Sequence, residues 1–218
     1  MVDDRVAELA LAAATRVRNR NGTVSILDHG SGDGGLSARF QELGGTRCVG
    51  IDRRPIPPSR LRVVGLFQDL PFVDDSFDLV CSLEAAYSSE ASGRVVAEMG
   101  RVLRENGTLM FTCLCTSPRT WHLPSTNVDA WSDLFEIHGL ETQQVLDLTD
   151  LWRQRMAHRH IDRWGELSDQ VSDRTTMWTD RDSRKAAVST LMLGLYGMEP
   201  VISRTQRHLL ICRKHRSR

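Results

Sequence analysis

Val24-Ser25-Ile26-Leu27-Asp28-His29-Gly30-Ser31-Gly32-Asp33-Gly34 is the stretch that decides the fold. Its first five residues form an apolar run too short for a helix and read as a buried strand, and the glycines at alternate positions then make a turn with few Cβ atoms. Leu36, Phe40 and Leu43 recur at helical spacing, Gly44-Gly45 closes that helix, and Cys48-Val49-Gly50-Ile51-Asp52 is a second apolar strand ending in an acid. Strand, glycine turn, helix, strand and acid in that order open an α/β fold built on a parallel sheet. A glycine turn at the head of a helix offers bare backbone N–H groups to a nucleotide-like ligand, although the same turn also serves as a plain connection. The spacing is not the strict dinucleotide GxGxxG, which Gly35 would complete.

Outward from this unit, Val6, Leu9, Ala10, Ala13 and Val17 predict an amphipathic helix over about residues 3–20, ended by Asn21-Gly22. Pro55, Pro57 and Pro58 exclude a regular helix after the second strand, so that crossover is expected to be short and irregular, with a third strand at 61–65. Residues 77–82 read as a fourth strand. Val95, Val96, Met99, Val102 and Leu103 give the next helix its buried stripe, with Asn106-Gly107 as its C-cap. A fifth strand is expected at 108–114, a short helix at 130–138 closed by Gly139, a weaker strand at 142–148 and a last strand at 205–212. Residues 150–199 lack strand character and read as helices of mixed charge. Seven strands with intervening helices imply an α/β, Rossmann-like, doubly wound sheet with a helical insertion before the last strand.

The chain has 218 residues, which at about 150 per domain suggests one domain with an elaboration. The expected organisation is a single domain, 1–218: a ligand-binding half over 1–114, substrate-binding helices and insertion over 115–200, and a last strand with a basic tail over 201–218. Twenty-eight basic and 28 acidic side chains cancel, which disfavours a nucleic-acid binder working by bulk charge. The five cysteines mostly lie in apolar runs and read as buried free thiols. Cys113 and Cys115 are not a CxxC pair and no second pair follows, so no metal site is expected. The acidic start does not resemble a secretory signal and no apolar run approaches a membrane span, which predicts a cytoplasmic protein without membrane association.

Four motifs in order carry a resemblance. They are Asp28-His29-Gly30-Ser31-Gly32-Asp33-Gly34; Val49-Gly50-Ile51-Asp52; Leu70-Pro71-Phe72 with Ser76-Phe77-Asp78-Leu79-Val80; and Glu98-Met99-Gly100-Arg101-Val102-Leu103-Arg104-Glu105-Asn106-Gly107. They resemble class I S-adenosylmethionine-dependent methyltransferases, in the small-molecule, natural-product branch, and cover about half the chain. The resemblance implies S-adenosylmethionine as cofactor and S-adenosylhomocysteine as product. It also implies cofactor contacts from Asp28, Gly30, Ser31, Gly32, Asp52, Arg53, Phe67, Gln68 and Ser82, with Asp52 accepting the ribose hydroxyls. Leu66 stands where the family usually has an acid for the adenine amino group, so backbone contacts from Phe67 or Gln68 are expected there, with Asp69 as the nearest substitute acid.

Methyl transfer is an in-line displacement that needs mainly positioning, with a base for a hydroxyl acceptor. Among the seven histidines, His122 follows the fifth strand at the carboxyl edge and is the candidate base or orienting group. Ser82-Leu83-Glu84-Ala85-Ala86-Tyr87 resembles the segment after the fourth strand of small-molecule methyltransferases; Glu84 and Tyr87 are candidates to face the reacting centre, and Glu84 could equally cap a helix. All five tryptophans fall between residues 121 and 178, which suggests either an apolar substrate pocket or packing within a helical cap. The expected activity is methyl transfer to O or N of a small, bulky apolar or aromatic metabolite. The alternatives are an RNA or protein methyltransferase, or a catalytically silent assembly or regulatory subunit.

Overall fold

The computed structural model describes residues 4–54, 62–86, 92–116, 127–154 and 205–215. Seven strands make one sheet: β1 (Val24–His29), β2 (Thr46–Asp52), β3 (Arg62–Val64), β4 (Phe77–Ser82), β5 (Leu103–Thr116), β6 (Leu140–Asp147) and β7 (Thr205–Lys214). Their order is β3-β2-β1-β4-β5-β7-β6, with β7 antiparallel to both neighbours and the other pairings parallel. The helices are α1 (Asp4–Asn21), α2 (Gly35–Gln41), α3 (Ser92–Val102) and α4 (Val128–Ile137).

Both faces of the sheet are covered, which is why the central strands read as continuous apolar runs rather than alternating ones. Adjacent residues go to opposite sides. Ile26, Leu79 and Met110 pack with Val6, Ala10 and Phe40 of α1 and α2, whereas Leu27, Val80 and Phe111 pack with Val96, Met99 and Trp131 of α3 and α4. No described helix is long and apolar enough to cross a membrane.

Two elements differ from the sequence reading. Asn106-Gly107 does not cap α3, because the helix ends at Val102 and β5 begins at once with Leu103 opposite Phe77. The next pair is Leu79 with Thr108, so residues 104–107 bulge from β5, and Asn106 takes the left-handed φ of 61° that such a bulge needs. The third strand is only three residues long, and β2 and β3 are joined through residues 53–61. Pro55, Pro57 and Pro58 lie outside the described residues, as does the insertion beyond residue 154.

Candidate active site

The strand order reverses between β1 and β4, so the loops leaving their carboxyl ends diverge and open a crevice. A cavity of about 580 Å³ lies there, lined by Gly30, Ser31 and Gly32 after β1, Arg54 after β2, and Leu83 and Glu84 after β4. Asp4 and Ala7 of α1 and Arg39 of α2 reach its rim. That volume falls in the range of roughly 300–1,000 Å³ typical of small-molecule sites.

Gly30 has a φ of 84°, and a Cβ built there would stand 2.1 Å from the Cβ of Ala85. No side chain fits, which fixes glycine at this position and lets the loops after β1 and β4 touch. Asp52, at the tip of β2, is buried except for 5% of its surface. Its Oδ2 accepts from the Gly32 N–H at 2.9 Å, and its Oδ1 accepts from the Arg54 N–H at 3.0 Å and the Arg54 Nε at 3.3 Å. These hydrogen bonds outweigh burial and hold its carboxyl below the usual range, so it is ionised.

Beneath the loop, Asp28 is buried and its pKa is raised by that burial to about 6, against the opposing hydrogen bond from Ser37 Oγ at 2.5 Å. His29 is fully buried, and burial lowers its pKa to about 4, so the imidazole is neutral at physiological pH. Its Nδ1 lies 3.1 Å from the buried Ser82 Oγ, and its ring centroid is 4.3 Å from that of Phe67. Ser82 therefore supports the loop from below through His29.

Residues 27–111 match the family described as methyltransferase domain. That match puts a methyltransferase domain over residues 27–111, the part of the chain that carries the glycine loop and Asp52. The chain is 26% identical over 184 residues to tocopherol O-methyltransferase of Arabidopsis thaliana, covering 68% of this chain and 52% of that one. It is 28% identical over 125 residues to glycine/sarcosine/dimethylglycine N-methyltransferase of Actinopolyspora halophila, covering 48% of this chain and 22% of the relative. The chain thus spans about half or less of these relatives' lengths. Among solved structures, that of the [4+2]-cyclase SpnF superposes with a TM-score of 0.77 at 18% identity, over 98% of this chain and 82% of that one.

The residues present suit the methyltransferase cofactor. Asp52 Oδ1 accepts two hydrogen bonds and Oδ2 one, so Oδ2 keeps acceptor capacity for a ligand hydroxyl. Ser31 Oγ is buried without a protein partner, and a Cβ at Gly32 would meet no atom closer than 3.8 Å, so the loop has both a spare polar atom and open space. Arg53 is exposed, and its neighbour Arg54 takes the place beside Asp52. Where the resemblance places the adenine, Leu66 is 55% exposed and Asp69 is exposed, bridged by the Asp69 N–H to the Leu66 carbonyl across Phe67 and Gln68.

The Glu98-to-Gly107 motif, which runs from α3 into β5, has a visible job. Glu98 Oε2 accepts from the Leu70 N–H at 2.7 Å, while Arg101 donates to Glu98 and to the carbonyls of Leu70 and Phe72. Two residues of α3 thereby clamp Leu70-Pro71-Phe72, the segment that follows Phe67 and Gln68.

After β4, Glu84 adopts a φ of 62° and pairs with Arg207 of β7, a side chain 2% exposed. Thr112 of β5 donates to Glu84 Oε1 at 3.0 Å and accepts from the Glu84 N–H at 2.7 Å. Glu84 thus has one edge on the cavity and the other in a buried polar knot; it caps no helix through its side chain in any described contact. His122 and Tyr87 lie outside the described residues. Of the tryptophans, Trp131 packs in the core against Phe111 and Phe135 rather than in a substrate pocket, because α4 turns its apolar face onto the sheet, and Trp152 is half-buried on the helical residues 149–154. Arg207, Thr112, Ser37 and Arg54 were not singled out by sequence. Only Arg207 had a signal, a charge next to the apolar run of the last strand.

Proposed function

We propose that the protein transfers the methyl group of S-adenosylmethionine to an O or N atom of a small, bulky apolar or aromatic metabolite. The observation that carries the reading is Asp52, an ionised carboxylate at the β2 tip that fixes the Gly32 N–H beside the 580 Å³ cavity. The named activities of the two relatives, one an O- and one an N-methyltransferase acting on small molecules, support the same class.

The bound cofactor supplies an electrophilic methyl group on a sulfonium. The chain's own residues bind, orient and position. Gly30 and Gly32 keep side chains out of the path of its amino-acid portion. Asp52 takes the ribose hydroxyls, and Phe67 and Gln68 offer backbone groups to the adenine. His29 is neutral, so it adds no repelling charge beneath the loop. Glu84 is a positioning residue: tied to Arg207 and Thr112, it sets the wall of the cavity after β4. His122 is assigned as the base for a hydroxyl acceptor on sequence alone.

Leu66, where an acid for the adenine amino group is usual in the family, motivates a second reading, a catalytically silent assembly or regulatory subunit on the same frame. Incubation with methyl-labelled cofactor and a panel of phenols, amines and hydroxylated lipids separates the two. Labelled product with stoichiometric S-adenosylhomocysteine supports the proposal. Cofactor binding with no transfer to any acceptor favours the second reading.

A further inference from the structure

The same-face geometry of strands makes more of Cys113 and Cys115 than their spacing suggests. Residues two apart on a strand point the same way, so both thiols project from one face of β5. His208 of β7 is the register partner of Cys113 and projects from that same face. The two sulfurs are 3.8 Å apart, and the ligand atoms of all three residues lie within 4.8 Å of one another. Ligands at the zinc–sulfur bond length of 2.3 Å in a tetrahedron are separated by about 3.8 Å, so the thiols already stand at the edge length of such a site.

We propose that Cys113, Cys115 and His208 bind a thiophilic divalent cation, zinc in the first instance, with the fourth tetrahedral position open to water or an incoming oxygen or sulfur ligand. The charge balance suits the surroundings: two thiolates and a neutral imidazole cancel a divalent cation, beside the apolar Phe111 and Leu210 of the core. On binding, the two thiol protons leave to solvent and two metal–sulfur bonds form with no change of oxidation state. His208 Nδ1 is shielded from solvent and has no hydrogen-bond partner. Asp147 is the register partner of His208 on β6, placing a carboxylate next to the imidazole as outer-shell groups commonly are. Cys113 is fully buried and Cys115 is 6% exposed, so access lies at the Cys115 end, towards the carboxyl edge of β5. Among the described residues, no other thiol joins a group of three such ligands.

The test uses the full chain, reduced and stripped by chelator, titrated with cobalt(II). One equivalent should produce thiolate-to-cobalt charge-transfer absorption and the strong visible bands of tetrahedral cobalt, and zinc should displace both. Cys115→Ser should abolish stoichiometric binding, whereas Cys212→Ser should leave it unchanged. Because a β5 variant can fail to fold, His208→Gln provides an independent arm and should shift or lose the visible bands. Absence of the bands in the wild type, or bands that persist unchanged in both Cys115→Ser and His208→Gln, would overturn the proposal.

Discussion

Glu84 and Arg207 stand 123 residues apart in sequence and pair inside the protein, joining the loop after β4 to the last strand beneath one wall of the cavity. Arg207 is almost wholly buried, so its charge depends on this partner, and Thr112 holds the same carboxylate from β5. Removing one partner of a buried pair typically costs about 3–5 kcal/mol, because the other charge is left uncompensated. Arg207→Met and Glu84→Gln should each lower stability by a few kcal/mol in denaturant unfolding, and Arg207→Met with Glu84→Gln together should cost less than the sum. Strict additivity in that double-mutant cycle would show that the pair has no coupling.

Gly30→Ala places a methyl group 2.1 Å from the Cβ of Ala85 at a φ of 84°. The clash and the left-handed backbone act together, so a loss of more than about 2 kcal/mol is expected. Wild-type thermal stability in this variant would mean that the loops after β1 and β4 do not touch as described.

Asp28 gives a pH prediction with a definite sign. Its folded pKa, about 6, exceeds the ordinary 3.8. An acid raised in the folded state contributes stability below pH 4 that is lost as pH rises through 6. Two pKa units correspond to about 3 kcal/mol at most. Asp28→Asn cannot ionise, so the stability of the wild type relative to this variant should fall by that order between pH 4 and pH 7. A pH-independent difference would indicate that Asp28 titrates normally. Asp52, whose pKa is lowered, acts with the opposite sign, which is why the comparison is made against the variant.

Leu66 is exposed, so Leu66→Asp should change stability by less than about 0.5 kcal/mol. A charged acceptor placed at the adenine side should strengthen cofactor binding by about 1.5 kcal/mol, roughly tenfold. Unchanged affinity would place the adenine elsewhere.

Much of the sheet could be read from the chain itself because its central strands are buried on both faces. Val24 to Asp28 and Phe77 to Ser82 are largely apolar runs that a sheet covered on both faces explains, and the motif order alone locates the glycine loop and Asp52. Long-range pairings could not be read. Arg207 finds Glu84, and His208 finds Cys113, only through the register of an antiparallel strand that returns from far along the chain. Asn106-Gly107 was misread for a related reason: the same dipeptide suits a helix cap or a strand bulge, and the partner strand β4 decides between them. Trp131 shows the limit of composition, since clustering in sequence did not distinguish a core side chain from a pocket wall.

Asp52 is the centre of the proposed site, and calorimetric titration of the full chain with S-adenosylmethionine and S-adenosylhomocysteine tests it most directly. The wild type should bind one equivalent of each, and Asp52→Ala should lose at least about tenfold in affinity, as expected for hydrogen bonds to a charged group. No binding to the wild type at millimolar cofactor, or the same affinity in Asp52→Ala, would contradict the assignment.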